Sequence, residues 1–347
     1  MVAAGVLFRW EGESVEEKIR DVLDAYSFHV ERVCRGRGAF ICDTDQGLKL
    51  VKAWHRSPQR LEFEQMVKYT IRDRGFYYID QFVPNREGQY LNMNQDGQQY
   101  TVRDWFEGRE CDVRNAADVL AAVRQLASLH LLMKNADMSD DRLKRFTYED
   151  TCQLFLKRRK EIKAIYSYVR RKKQWNDFEK LFMKLYGESM QEAETALKLL
   201  EEFPYRELRE KAIEERTLCH GDFNYHQVIL NRKYTAVINF ERMHLDIQVK
   251  DLYQFLRKVM EKNNWDQSLG FLIIDTYRSV NPLSHDEMYA LYAMLVFPEK
   301  FWKIANRYNN SRKSWLSGVN YEKLCRLMQT TDQRKSFLNT FKYSFIF

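Results

Sequence analysis

The chain is poor in the residues that break or disperse a core. Five prolines and 13 glycines in 347 residues leave little room for disordered linkers. No apolar run reaches the length of a membrane span. Residues 1–20 lack a charged segment followed by a long apolar stretch, so synthesis in the cytoplasm is the expectation. The six cysteines, Cys34, Cys42, Cys111, Cys152, Cys219 and Cys325, include no CxxC pair, and no His/Cys cluster has zinc spacing. They read as buried thiols in a reducing compartment. Nor is there a concentrated basic patch. The net charge of +7 is modest for this length and is spread among acidic residues, which argues against a nucleic-acid partner.

Apolar residues make up 45% of the chain and charged residues 30%. That describes a globular protein with surplus surface charge. Its length suits two lobes better than one core. The densest basic runs, 157–160 and 170–173, recur along one helical pattern and read as a solvated face, with polyanion binding as the other option.

Ser14 and Glu17 form a capping-box pattern ahead of Ile19, Val22 and Leu23, so residues 1–28 read as an N-terminal helical segment. Strands are expected at 29–33, 39–42 and 48–53, a helix at 60–72, and strands at 82–83, 89–93 and 100–105. Turns punctuate them at 35–38, 43–47, 85–88 and 94–97. This is a mostly antiparallel lobe over 29–108. From Ala116 onward helical periodicity dominates, giving a helical lobe over 109–347. A charged helical pair within it carries Phe155, Ile162, Ile165 and Val169, then Phe178, Leu181, Leu185, Ala193 and Leu197. One non-helical stretch interrupts the lobe. Residues 218–241 hold a polar loop and two short apolar runs, 228–230 and 236–238.

That stretch carries the chemistry. It reads His220-Gly221-Asp222-Phe223-Asn224-Tyr225-His226-Gln227, then the two apolar runs, then Asn239-Phe240-Glu241. Phosphoryl transfer needs a carboxylate beside the attacking hydroxyl and oxygen ligands for magnesium on the nucleotide phosphates. A loop with a carboxylate and a polar group five residues later, followed by a hairpin ending in another polar group, can surround one site from two sides. A turn-capping role for Asp222 is the plain alternative.

The arrangement resembles the aminoglycoside phosphotransferase and choline kinase branch of the protein-kinase-like superfamily, whose pattern is HGDxxxxN, a hairpin, then IDF or IDW. The resemblance implies an α+β bilobal fold, with ATP and magnesium as cofactors and Asp222 as the catalytic base. Gln227 stands where the branch has a metal-binding asparagine, and Asn239 where it has a metal-binding aspartate. Strand alternation puts Lys52 on the apolar face of Leu48 and Leu50. The resemblance gives it nucleotide phosphates and Glu64 as partners; a surface Lys–Glu pair is the other reading. Gly36 and Gly38 match a phosphate-approaching loop or a plain hairpin turn. Residues 102–105, including Val102 and Asp104, match the adenine-binding hinge. Asp251 matches the aspartate that anchors the catalytic loop near His220, and a helix N-cap explains it as well.

A closer similarity exists. Arg35-Gly36-Arg37-Gly38-Ala39, Asp104-Trp105-Phe106-Glu107-Gly108-Arg109-Glu110-Cys111 and His244-Leu245-Asp246-Ile247 resemble the CotS family of bacterial spore-coat proteins. The likeness covers residues 30–338 and implies coat proteins as partners and the spore coat as destination. The usual form of that family brackets the hairpin with HGDxxxHN and IDFD. Magnesium prefers carboxylate and phosphate oxygens. Asn239 therefore removes a charge, and the longer Gln227 displaces its oxygen. Glu241, two residues on, could replace the missing charge. The expectation is a structural or degenerate kinase that retains nucleotide binding. The alternatives are an active phosphotransferase and a polyanion-binding module using the basic helical pair, whose Arg158, Arg159, Arg171 and Lys172 are, on the structural reading, candidate contacts for acidic coat partners.

Overall fold

The computed structural model describes residues 19–36, 38–134, 146–310 and 316–347. The capping-box pattern at Ser14 and Glu17 lies outside them. The chain divides into two compact units, one of residues 1–138 with 220–243 and the other of 139–219 with 244–347.

The first unit is built on an antiparallel sheet. A short helix α1 (Arg20–Leu23) precedes strands β1 (Val30–Gly36), β2 (Ala39–Thr44) and β3 (Lys49–Ala53). Helix α2 (Pro58–Asp73) follows, then β4 (Phe82–Val83), β5 (Asn92–Met93) and β6 (Gln99–Asp104). The strand order is β1-β2-β3-β6-β4, with β5 also pairing with β6. Gly36 faces Ala39, and Gly38 before it takes φ +76°, a conformation that costs glycine little. Alternation buries both faces. Phe40, Cys42, Val51 and Val102 pack under Ile19, Val22, Leu23 and Tyr26, while Cys34, Ala39, Ile41 and Leu50 form a second cluster. Burying each large apolar side chain contributes about 1.5–3 kcal/mol.

Helix α2 starts where Ser57 accepts a hydrogen bond from the Arg60 N–H and Pro58 pre-sets the first turn. Its buried stripe of Leu61, Glu64, Val67, Lys68 and Ile71 has helical spacing, but two of the five are charged. Strand β7 (Arg109–Glu110) and helix α3 (Ala116–Leu132) complete this part of the unit.

The second unit is helical: α4 (Thr151–Arg170), α5 (Asp177–Glu202), α6 (Tyr205–Glu214), α7 (Val249–Met260), α8 (Gln267–Val280), α9 (His285–Val296), α10 (Glu299–Asn309), α11 (Leu316–Gln329) and α12 (Thr331–Phe345). Strands β8 (Leu218–Cys219) and β11 (His244–Leu245) pair within it. The expected apolar stripes of α4 and α5 meet there, with Ile162, Ile165 and Val169 packed among Phe178, Phe182, Phe301 and Ile304. Two basic residues expected on a solvated face turn inward instead. Arg158 bonds Glu299 at 2.5 Å and lies over the Trp302 ring, and Lys172 bonds the buried Glu179 at 2.5 Å. A buried carboxylate needs a cation, so these two serve the fold, and two of the four residues expected to contact coat partners are already paired inside it. Among the described residues no helix is long and apolar enough to cross a membrane.

Candidate active site

The site is assembled inside the first unit by the segment 220–243. A 3-10 turn (Tyr225–Gln227) leads into β9 (Val228–Leu230), which pairs with β10 (Thr235–Val237) on one side and β7 on the other. Gly108 permits the β7 approach: a side chain there would meet the Leu230 carbonyl at 2.5 Å, at φ +146°.

Asp222 sits on a loop fixed by its neighbours. Its N–H donates to Nδ1 of the buried His220 (3.3 Å), while Nε2 of that ring lies 3.0 Å from the Ile238 carbonyl. An acceptor at Nδ1 and a carbonyl at Nε2 assign the proton to Nε2 in a neutral imidazole. The Asn224 amide donates to the Asp222 carbonyl (2.8 Å) and to Oδ1 (3.3 Å), and its own oxygen caps the 3-10 turn at the His226 N–H. Nδ1 of His226 then meets Oε2 of Glu110 at 2.7 Å. Asn224 and Glu110 were not singled out by the sequence reading. An asparagine two residues after the aspartate is a turn-capping signal, whereas Glu110 shows itself only once β7 is paired.

Beside the loop lies a closed ionic cluster. Lys52 bonds Oε1 of Glu241 at 2.6 Å and Oδ1 of Asn239 at 3.3 Å. Arg103 reaches Glu241 (3.1 Å), Asp80 (3.2 Å) and Glu64 (3.4 Å), and Lys68 reaches Glu64 (2.7 Å) and Asp80 (3.0 Å). Three cations thus face three carboxylates. Glu64, Lys68, Asp80 and Arg103 are at most 1% exposed. The expected Lys52–Glu64 pair does not form: both residues join the cluster, but Lys68 and Arg103 take Glu64 while Glu241 takes Lys52. Burial alone would raise the Asp80 carboxyl, yet Lys68 and Arg103 outweigh it and hold it below its ordinary value. Glu241 is likewise held low, burial being outweighed by Arg103 and Lys52. Asn239 adopts φ +67°, and its N–H donates to Oδ2 of Asp80 at 3.1 Å. Asparagine tolerates that conformation better than most residues.

The cluster of Ala39, Ile41 and Leu50 forms one apolar surface, and Ile229, Ala236 and Ile238 form another. Trp105 packs against both. The hinge assignment shifts. Val102 lies inside the ladder between Val51 and Val83, so its backbone serves the sheet. Further on, the Asp104 N–H bonds the Gln81 carbonyl (2.8 Å), the Trp105 N–H bonds Leu48 (2.9 Å), and the Asp104 carboxylate holds Lys49 at 2.7 Å. The first residues past the ladder are Phe106 and Glu107. Gly36 belongs to β1 and Gly38 to its tight turn.

The donors at the expected metal position do not fit magnesium. Gln227 offers only a neutral side-chain amide, and its backbone is fixed in the hairpin, the N–H donating to the Asn224 carbonyl (2.8 Å) and the carbonyl accepting from the Ile238 N–H (3.0 Å). The Asn239 oxygen already accepts from an ammonium, and Glu241 lies between two cations. Among the described residues no three His, Cys, Asp or Glu side chains gather to hold a metal ion. Asp251 is fully buried in the second unit, on α7, where its charge helps keep the buried Cys219 thiol, already pushed up by burial, well above its ordinary value.

Comparison with known proteins agrees with this architecture. The chain is 22% identical over 339 residues to spore coat protein S of Bacillus subtilis, covering 95% of each. An aminoglycoside phosphotransferase from Alicyclobacillus acidocaldarius has the same fold, with TM-score 0.83 at 19% identity over 92% of this chain and 94% of that one. A spectinomycin phosphotransferase solved with ADP and spectinomycin is more distant, with TM-score 0.66 at 12% identity over 94% and 98% of the two chains. Residues 19–341 match the family described as "Spore coat putative kinase YutH", and the chain belongs to that spore-coat family, on a phosphotransferase-like fold.

Proposed function

We propose that this protein is a structural component of the spore coat, built on a kinase fold whose magnesium-dependent phosphoryl transfer has been lost. One observation carries the reading. The positions that would hold a metal and nucleotide phosphates are occupied by a charge-neutral cluster, in which Lys52 is bound to Glu241 and Asn239 supplies no charge. Phosphate would have to displace Glu241 from Lys52, and magnesium would have to enter beside two cations. Membership of the spore-coat family supports assembly with other coat proteins. Any nucleotide held in the site binds without help from magnesium.

The test is a nucleotide titration by calorimetry with and without magnesium, paired with a phosphate-transfer screen using Asp222→Asn as control. The expected result is weak, magnesium-independent binding and no transfer above that control. Tight binding of ATP only with magnesium, or transfer abolished by Asp222→Asn, would sink the proposal.

A second reading, an active phosphotransferase acting on a small-molecule hydroxyl or a coat protein, has one observation in its favour. The loop that presents Asp222 is intact, with His220 and Asn224 both bonded to it. A preserved loop also serves a scaffold, since these hydrogen bonds hold the hairpin together. The transfer screen separates the two.

A further inference from the structure

A cavity of about 500 Å³ lies in the first unit, along β5 and the turn at residues 85–89. That volume is within the range of ligand sites, roughly 300–1,000 Å³. Backbone geometry says what faces it. The Trp54 N–H donates to the Gln99 carbonyl at 2.8 Å, so Gln99 turns its backbone N–H and C=O toward β3. Met93 is its partner in β5. In an antiparallel ladder such a pair is not hydrogen-bonded, and Met93 points its N–H and C=O away from β6. Leu91, two residues earlier, points the same way. Among the described residues β5 pairs only with β6, so no strand pairs with this edge; α1 lies at its far end, where Asp21 accepts from the Gln95 N–H at 3.3 Å.

The walls carry matching chemistry. Arg86, Glu87, Gln89 and Gln99 line the cavity, the Arg86 guanidinium being turned to the Tyr26 carbonyl. Among the described residues, the two side-chain amides have no hydrogen-bond partner and Glu87 has no cation within ion-pair distance. The frame behind them is fixed. Arg86 donates twice to the Tyr26 carbonyl (2.9 and 2.7 Å), and Asn92 bonds both the Tyr26 hydroxyl (2.6 Å) and Asn85 (2.8 Å). A site whose walls are already ordered loses less entropy on binding.

We propose that this cavity takes an extended segment of a partner polypeptide, which adds to the unpaired edge of β5 and places a basic side chain against Glu87. Peptide groups are complementary both to the exposed backbone of Leu91 and Met93 and to glutamine amides, and strand addition is a common mode of peptide capture. The site is separate from the Asp222 loop, so it stands whether or not the protein transfers phosphate.

The experiment uses the full chain and the blocked peptide acetyl-Val-Lys-Val-Lys-amide, with binding followed by calorimetry and backbone hydrogen exchange. Exchange in the segment holding Leu91 and Met93 is expected to slow on saturation. Met93→Pro removes one edge donor at a position where proline is tolerated, and should weaken binding about tenfold. Gln99→Ala leaves the backbone intact and should weaken it as well. Glu87→Gln should weaken the lysine peptide about threefold and leave acetyl-Val-Thr-Val-Thr-amide unaffected. Thermal melts establish that each variant is folded. Absence of binding at about millimolar peptide, unchanged exchange at the β5 edge, or equal binding by Met93→Pro and Gln99→Ala overturns the proposal.

Discussion

Replacing Arg103 by methionine removes one of the three cations that balance Glu64, Asp80 and Glu241. The remaining two are already committed, Lys68 to Glu64 and Asp80 and Lys52 to Glu241. Glu64 and Asp80 are at most 1% exposed, so water cannot replace the guanidinium. Breaking a buried pair by deleting one partner costs about 3–5 kcal/mol, and the loss of the guanidinium stacked 4.6 Å over the Phe82 ring adds to it. A drop in melting temperature on the order of 10 °C follows. The charge argument makes a sharper demand on the double variant Arg103→Met with Asp80→Asn. It keeps both Lys68–Glu64 and Lys52–Glu241 and restores neutrality, so it should be more stable than Arg103→Met alone. Acid sensitivity gives a second readout. Asp80 and Glu241 titrate below their ordinary values of 3.8 and 4.5. Their contribution is therefore present above those values and disappears as pH falls through the lowered ones. Without Arg103 both carboxyls move up, and stability should begin to fall at higher pH than in the parent. The assay is thermal unfolding by circular dichroism from pH 3 to 8. A single variant that melts within a degree or two of the parent, or a double variant that is merely additive, would refute the reasoning.

Asn239→Asp adds a fourth carboxylate to a balanced cluster; it should lower the melting temperature without metal and recover it with magnesium, whereas the parent should show no magnesium effect in the same scan. Trp105→Ala removes the side chain that packs on both the Ala39–Ile41–Leu50 and the Ile229–Ala236–Ile238 surfaces; adenine-nucleotide affinity, measured by calorimetry, should rise, and a fall would show that the indole supports the base. Asp251→Ala deletes a fully buried carboxylate and should lower stability by about 1–3 kcal/mol, read from the melting temperature without ligand. In a spore-forming host, Asp222→Asn should leave incorporation into the coat intact; a coat defect from a stably folded mutant would favour an enzymatic role.

The parts of this site that the sequence made legible are local ones. The run Val228–Leu230 and the turn after it are bounded by polar residues, and the loop from His220 to Gln227 has a fixed spacing that survives any packing. Alternation also placed Lys52 on the side of Leu50 correctly, because register within one strand is set by its own pattern. The cluster was illegible for the opposite reason. Its members come from β3, α2, β6, the stretch after α2 and the end of the hairpin, and no single window contains two opposed pairs. Arg103 was the largest miss. It pairs directly with Leu50 across β3 and β6 and so shares the buried face with Lys52, yet in the sequence it looks like a charged residue at the end of a strand. The i,i+4 spacing of Glu64 and Lys68 on a buried stripe was a readable signal, since two charges on an apolar face demand partners. Strand β7 was missed because two residues carry no periodicity; its pairing with β9 is what brings Glu110 to His226.

The two departures at the end of the hairpin make sense only as a pair. Consider the cluster with aspartate at 239 and Glu241 unchanged. Four carboxylates would then face Lys52, Lys68 and Arg103, leaving one negative charge in a largely buried region, a condition that calls for a bound cation. With Asn239 the count is three against three, and neutrality is reached by side chains alone. Glu241 does not restore a metal ligand, because its carboxylate is directed to Lys52 and Arg103 and held ionised by them. In the scaffold we propose, it takes the place of phosphate by accepting from Lys52 at 2.6 Å. On the proposed scaffold reading the site is complete without ligand, and its charged residues contribute to folding. That is why the stability of Arg103 and Asn239 variants, more than their activity, discriminates between a scaffold and a kinase.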